Sequence, residues 1–269
     1  MKPLVSIVTP SYNQAPYLEE TIRSVLEQDY PHLEYLVVDG GSTDGSLEII
    51  RRYAEAGKLA WWVSEPDQGQ ADAINKGFAH AQGKILAWIN SDDTYLPGAV
   101  SEAVAFLTSH PEAAMVYADA NLIDEHGAVL ERFPARQTDL QGMLRGAVHI
   151  PQQTTFFWKH HWQQVGPLDT NLHFAMDYDL WVRLAQLGPL VYNPRLWANF
   201  RLHKQGKTTT IDDRCYPDML RVYRRVVQPR PEWLWRVSPL ALRWYLRRLA
   251  YAWLPMRLRL WLRKSTTRQ

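Results

Sequence analysis

The chain of 269 residues is poor in cysteine. It holds one, Cys215. No disulfide can therefore form within it, and a reducing, cytoplasmic setting is expected. Long apolar runs are also missing. No stretch of about 18 apolar residues free of charge occurs, so no transmembrane helix is expected. The opening Met-Lys-Pro-Leu-Val-Ser-Ile-Val-Thr-Pro carries one positive charge and an apolar run too short for a signal peptide. Two glycine signatures are absent as well. No GxGxxG follows the first apolar run, which argues against a dinucleotide dehydrogenase. The glycines at 40, 41 and 45 lack the Lys-Ser/Thr ending of a nucleoside-triphosphatase loop. No Ser-His or Cys-His pair stands out as a nucleophile, and there is no internal repeat.

Net charge is low, but its distribution is uneven. Lys and Arg number 30 against 28 Asp and Glu, a balance of +2. Residues 230–269 alone hold ten Lys/Arg and one acid, Glu232, which is +9 and leaves −7 for the remainder. Five of the 12 tryptophans, Trp233, Trp235, Trp244, Trp253 and Trp261, lie in the same stretch. From Pro239 to Leu254 its pattern is helical, with Arg236, Arg243 and Arg247 on one face. Pro255 should interrupt it. Such a segment suits an anionic membrane surface. It equally suits packing on the body of the chain or on a second subunit. Nucleic acid is not expected, because the body is acidic and carries no recognition motif.

The 46% hydrophobic content fits a sizeable core, and its pattern predicts an α/β chain. Apolar runs at Leu4–Thr9, Tyr35–Val38, Leu59–Val63 and Ile85–Ile89 read as buried strands. Helical patterns lie between them: Tyr17–Gln28, with Glu19 and Glu20 in its first turn, then Leu47–Ile50, then from Asp67-Gln68-Gly69 through Phe78. Alternating strands and helices predict a parallel sheet with helices on both faces. Further on, a helix is expected from Pro97 to about His110, a strand at Met115–Tyr117, a hairpin over 121–133, an irregular stretch over 134–151 and a strand at Thr154–Trp158. A helix starts at Phe174–Leu184, and Arg201–Lys207 reads as a basic loop.

In such a sheet, ligands sit beyond the carboxyl ends of the strands. Thr9-Pro10, Asp39 and Asn90-Ser91-Asp92-Asp93 all fall at such ends. Two adjacent acids closing a buried strand call for a positive partner. A divalent cation would serve, and a helix cap is the alternative. Asp39 could accept from a base N–H or cap Ser42. Asp177 and Asp179 could cap the helix that they open, and their spacing sends them in different directions.

These segments together resemble glycosyltransferase family 2, the inverting enzymes of the GT-A fold. The resemblance is carried by Thr9-Pro10-Ser11-Tyr12-Asn13, Val38-Asp39-Gly40-Gly41-Ser42-Thr43-Asp44-Gly45, Gly69-Gln70-Ala71-Asp72, Asn90-Ser91-Asp92-Asp93, Met176-Asp177-Tyr178-Asp179 and Arg201-Leu202-His203. It covers about residues 3 to 210. It implies a GT-A fold with a Rossmann-like, mostly parallel central sheet. Residues 1–215 would be catalytic, with a nucleotide-sugar half at about 1–118 and an acceptor half at about 119–215. Residues 216–269 would form a basic, tryptophan-rich helical extension.

The resemblance further implies a nucleoside-diphosphate-sugar donor, UDP favoured over GDP or dTDP, and Mn²⁺ or Mg²⁺ as cofactor. Thr9, Pro10 and Asp39 would hold the nucleobase, Asp72 would make a further nucleotide contact, and Tyr12 would also bind the nucleotide. Asp93 would bind the metal, Asp92 the ribose or the metal, and His203 would complete the metal site. Asp177 would be the catalytic base. Met176 stands where many members have a glutamate, so Asp179 would have to supply the supporting carboxylate. Lys204 or Lys207 would steady the diphosphate, while Gln152, Gln153 and Trp158 would meet the acceptor. That acceptor would be a glycan or a lipid-linked sugar, worked on at the cytoplasmic face of the membrane. The competing readings are a nucleotidyltransferase on a similar sheet and a non-catalytic, membrane-associated nucleotide-sugar-binding protein.

Overall fold

Four apolar runs become the parallel half of one sheet in the computed structural model, which describes residues 2–204, 206, 215–227 and 242. They are β1 (Val5–Ser11), β2 (Leu33–Asp39), β3 (Trp61–Ser64) and β4 (Ile85–Trp88), in spatial order β3-β2-β1-β4. Strand alternation sorts their side chains into two cores. Ile7, Tyr35, Val37, Ile85 and Ala87 face one layer. Val8, Leu36, Val38, Leu86 and Trp88 face the other.

The first layer is closed by α1 (Ala15–Leu26), α2 (Ser46–Glu55) and α4 (Ala99–Ser109). α1 buries Leu18, Ile22 and Val25, each worth about 1.5–3 kcal/mol on burial. The second layer is closed by α3 (Gln70–His80) and α7 (Met176–Leu184). α3 lies very close to β1. A Cβ on Gly77 would stand 2.5 Å from Val8 Cγ1, so only glycine permits that approach.

The rest of the sheet mixes directions. β8 (Phe156–Trp158) runs antiparallel between β4 and β6 (Met115–Ile123). β9 (Leu190–Arg201) runs parallel to β6, while β5 (Thr94–Tyr95) and β7 (Val129–Phe133) close it antiparallel. Nine strands result among the described residues, with the main path β3-β2-β1-β4-β8-β6-β9-β5. The remaining α-helices among the described residues are α5 (Leu140–Leu144), α6 (Lys159–Val165) and α8 (Cys215–Val226).

Some expectations shift. α1 begins at Ala15, so Glu19 and Glu20 fall beyond the first turn, which holds no acid. Pro16 near the first position favours that earlier start, and the loop after β2 supplies the caps: Asp44 accepts from Ala15 N–H and Ser46 from Gln14 N–H. β6 continues through Asp119 to Ile123. β9 and α6 have no counterpart among the expected elements. The stretch 134–151 holds one short helix, α5, capped by the Asp139 side chain accepting from Gly142 N–H.

The expected boundary at 215/216 falls at the start of α8. This helix is fastened to α7 and the loop before it. Arg225 pairs with Asp169 at 2.6 Å and with Asp179 at 3.4 Å, and Asp218 accepts from Phe174 N–H at 3.1 Å. No helix among the described residues is long and apolar enough to cross a membrane. The basic stretch 230–269, apart from Leu242, lies outside the described residues, as does Lys207.

Candidate active site

A cavity of about 830 Å³ opens beyond the carboxyl ends of β1, β2 and β4. That volume is within the range of small-molecule sites, roughly 300–1,000 Å³. Its lining draws on both halves of the chain. Pro10, Ser11, Tyr12 and Gly40 come from the first two strand ends and Gln70 from α3. Trp88, Asn90 and Asp92 follow along β4 and its turn. Gln152, Gln153 and Asp177 come from beyond residue 118.

The loops after β1 and β2 are stitched to each other. Ser42 Oγ accepts from Asn13 N–H at 2.8 Å, and Asn13 Oδ1 accepts from Thr43 N–H at 2.9 Å. Asn13 adopts the left-handed conformation, φ 53°, which asparagine tolerates. Asp39 is buried at the root of the loop. Its two oxygens accept from the N–H groups of Gly41 and Ser42 and from the hydroxyls of Ser42 and Ser64. Gly40 passes so near Asp67 that a Cβ there would meet Asp67 Oδ2 at 2.7 Å.

Asp92 and Asp93 part company. Asp92 lines the cavity, and its Oδ2 lies 2.9 Å from Nε2 of His203. Asp93 is fully buried and does not line it. Its Oδ1 accepts from Arg201 N–H at 2.9 Å and its Oδ2 from the Asn90 amide at 3.3 Å. Burial, with the Asp92 carboxylate beside it, pushes the Asp93 carboxyl well above the usual range, against the pull of the Arg201 N–H and the Asn90 amide. Asn90 also accepts from Gln70 Nε2 at 2.6 Å, which ties the turn to α3.

Asp177 stands in the first turn of α7 and lines the cavity. The helix dipole favours negative charge there. Two residues on, Asp179 faces the other way, as the helical period requires. It is buried against Arg183 at 2.8 Å and Arg225 at 3.4 Å, so it does not stand beside Asp177 in the cavity. Gln153 lines the cavity, but Trp158 does not. β8 runs antiparallel to β4, which sets Trp158 opposite Ile85, at the end of β4 remote from the rim. Thr9 is buried and accepts from the Tyr35 hydroxyl at 2.9 Å. Asp72 accepts from Gln68 N–H at 3.1 Å and lies 3.5 Å from Lys76. Neither Thr9 nor Asp72 lines the cavity.

Sequence reasoning missed one feature of this lining. Eight buried polar side-chain atoms among the described residues find no hydrogen-bond partner, and five belong to cavity residues: Ser11 Oγ, Gln14 Oε1, Trp88 Nε1, Gln152 Oε1 and Gln153 Nε2. Buried polar groups are normally satisfied, and here the exceptions gather in residues of the cavity wall. The signal in the sequence was Trp88, whose indole N–H is an unusual group for an otherwise aliphatic strand.

Two donors fit a divalent cation. No group of three or more His, Cys, Asp and Glu is gathered into a cage among the described residues. Asp92 and His203 nevertheless offer a carboxylate oxygen and an imidazole nitrogen side by side. Mg²⁺ is usually held by one or two carboxylates plus the phosphates of its substrate, so a fuller protein cage is not required.

The sequence model of "Glycosyl transferase family 2" matches residues 6–162. A Rickettsia prowazekii protein described as an uncharacterized glycosyltransferase is 29% identical over 77% of this chain and 67% of its own length. A Mycobacterium tuberculosis relative of the same description is 33% identical over 68% of this chain and 69% of its own. The putative teichuronic acid biosynthesis glycosyltransferase of Bacillus subtilis is 33% identical, and the match spans 58% of this chain but only 56% of that protein. Among solved structures, a mannosyltransferase of Pyrobaculum calidifontis in complex with GDP-Man and Mn²⁺ superposes with a TM-score of 0.67 at 22% identity, covering 99% of this chain and 80% of the other. S. aureus TarS 1-349 in complex with UDP-GlcNAc superposes at 0.66 and 16% identity, covering 92% and 73%. These superpositions establish the GT-A fold. The chain belongs to glycosyl transferase family 2 and is a glycosyltransferase.

Proposed function

We propose that the protein moves a sugar from a nucleoside-diphosphate sugar to an acceptor hydroxyl, with inversion at the anomeric carbon, a divalent cation at Asp92 and His203, and Asp177 as general base. One observation carries this reading. A single cavity joins Asp92, paired with His203, to the separate carboxylate of Asp177. The two ends of a sugar transfer need those two things.

The nucleobase would lie among Pro10, Tyr12, Gly40 and Asp67, where the exposed Tyr12 ring offers a stacking face. Thr9, Asp39 and Asp72 would order the surrounding backbone instead of touching the base. The base stays open between uridine, guanosine and thymidine: one structural relative holds UDP-GlcNAc and another GDP-Man with Mn²⁺. Mn²⁺ or Mg²⁺ on Asp92 and His203 would offset the charge that grows on the departing diphosphate. Asp93 would serve beneath the site, holding the Arg201 backbone. The unpartnered groups of Ser11, Trp88, Gln152 and Gln153 would receive the hydroxyls of the transferred sugar.

Asp177 would accept the proton of the attacking hydroxyl. Attack opposite the leaving diphosphate inverts the anomeric centre without a covalent intermediate. Phe133, Phe174 and Phe200, which also line the cavity, would give an acceptor sugar its apolar walls. Polysaccharide or glycolipid assembly is the favoured setting, supported by the Bacillus relative's name. We place the nucleotide half at about 1–118, the acceptor half at about 119–215, and a basic extension after it that meets an anionic membrane. Flotation with anionic liposomes tests that last point, since the chain cut after Pro229 should no longer float.

The activity itself is tested by incubating the protein with UDP-, GDP- and dTDP-sugars and Mn²⁺. Slow hydrolysis of one donor, abolished in Asp92→Asn, is the expected result. Turnover of none, or equal turnover by the variant, would overturn the assignment. Release of pyrophosphate from a nucleoside triphosphate would favour a nucleotidyltransferase.

A further inference from the structure

Beside the Asp92–His203 pair, among the residues that line the same cavity, stands a second charge to which the reading above gives no role. Arg201 ends β9, and its side chain is 1% exposed. Its backbone N–H is held by Asp93 Oδ1. Its guanidinium donates in three directions. Nε–H bonds the backbone carbonyl of Asp92 at 2.9 Å, and Nη1 reaches the carbonyls of Asp124 at 3.3 Å and Glu125 at 3.5 Å. Nη2 pairs with Glu20 Oε2 at 2.5 Å. The same guanidinium lies 5.0 Å from the centre of the Tyr17 ring, and that ring packs on His203 with centroids 4.6 Å apart.

A buried cation costs several kcal/mol unless it is paired and its donors are satisfied. Here all three nitrogens of the guanidinium have acceptors, and the four partners come from three segments: α1, the turn after β4, and the turn between β6 and β7. Lysine could not reproduce this, because one ammonium cannot span four acceptors so placed. The convergence falls on the two residues that must stay face to face although they come from distant parts of the chain. One contact fixes the backbone of Asp92. The other, through Tyr17, fixes the ring of His203.

We propose that Arg201, neutralised by Glu20, is a positioning residue that holds Asp92 and His203 in the geometry needed to bind a divalent cation. The proposal rests on the assignment of those two residues as the cation's ligands. Outer partners of metal ligands typically change metal affinity by about 10- to 100-fold when removed.

Mn²⁺ affinity, read from the electron paramagnetic resonance of free Mn²⁺ in the presence of UDP, GDP or dTDP, tests it on the full chain. Wild type should bind Mn²⁺ with one of these, and Asp92→Asn should not. Arg201→Met and Arg201→Lys should bind it at least tenfold more weakly, and Glu20→Gln should weaken it to a smaller degree. Binding of the same diphosphate in EDTA, measured by calorimetry, should stay within about twofold of wild type. Should Arg201→Met fail to fold, Arg201→Lys and Glu20→Gln decide, since Glu20 is 56% exposed and its variant removes one ion pair only. Unchanged Mn²⁺ affinity in the folded variants would overturn the positioning role while leaving the ligand assignment intact. Absence of Mn²⁺ binding in wild type, or equal binding in Asp92→Asn, would overturn both. Parallel loss of Mn²⁺ binding and of diphosphate binding in EDTA would reduce Arg201 to a purely structural part.

Discussion

Asp92 Oδ2 and His203 Nε2 stand 2.9 Å apart although 111 positions separate them in the chain. The turn after β4 brings one and the segment just past the end of β9 brings the other. Asp93, next in sequence to Asp92, is turned into the protein and bonded to Arg201 N–H. Adjacent acids thus have separable duties. Asp92→Asn should leave the melting temperature nearly unchanged and remove donor turnover. Asp93→Ala should destabilise the fold by about 1–3 kcal/mol, the cost of an orphaned buried donor. Chemical denaturation of the two variants checks this. Equal destabilisation would contradict it.

Asp177 is the only carboxylate that α7 presents to the cavity. Asp177→Asn keeps the shape and removes the proton acceptor. Transfer should fall by about 10²–10⁴-fold, with donor affinity by calorimetry unchanged. Loss of donor binding to the same degree would move Asp177 from chemistry to recognition.

Trp88, the last residue of β4 and part of the cavity lining, carries a buried indole N–H with no partner. Trp88→Phe retains most of the packing and deletes that donor. If the N–H meets the transferred sugar, kcat/KM for the sugar donor should fall by about tenfold, the equivalent of a hydrogen bond worth roughly 1–1.5 kcal/mol. Affinity for the free nucleoside diphosphate should not change. Equal losses for both ligands would place the indole outside the sugar subsite.

Asp44 and Asp169 link stability to acid. At both, burial pushes the carboxyl upward but is outweighed. At Asp44 the Ser46 hydroxyl and the Ala15 N–H lower it, and at Asp169 the Asn171 N–H and the Arg225 guanidinium do so. Both lie below the ordinary 3.8. Stability from a depressed carboxyl is complete above the unfolded value and is lost as pH falls through the folded one. Wild type should therefore lose melting temperature more steeply in this acid range than an Asp44→Asn/Asp169→Asn double variant, which should start lower. At neutral pH the loss of the Asp44 cap should cost about 1 kcal/mol. Parallel melting curves against pH would contradict the linkage.

The parallel half of the fold was legible because its strands are continuous apolar runs bounded by turn residues, as in Leu4–Thr9 and Ile85–Ile89. β9 was not. It contains Pro194 and Arg195, which break the alternation, and the register against β6 jumps from Asn193 to Leu196 across them. A bulge of this kind lets an otherwise forbidden proline sit in a strand. The positions of Asp92 and Asp177 on the cavity wall were legible, since a strand end and a helix start fix them, whereas Asp39, also at a strand end, is buried under the loop. Which of Asp92 and Asp93 faces the cavity was not, because neighbouring residues in a turn have no periodicity to separate them. Nor could the sequence show that Asp179 is taken by Arg183 and by Arg225, the latter 46 positions away on α8.

The central claim is that Asp92 and His203 bind a cation on which donor recognition depends. Titrating Mn²⁺ into the protein with the nucleoside diphosphate it prefers, with and without Asp92→Asn and His203→Ala, tests it most directly. The account predicts saturable Mn²⁺ binding in wild type, lost in both variants, and donor turnover that follows the same curve and vanishes in EDTA. Donor turnover that persists in EDTA, or Mn²⁺ binding that survives both substitutions, would contradict it.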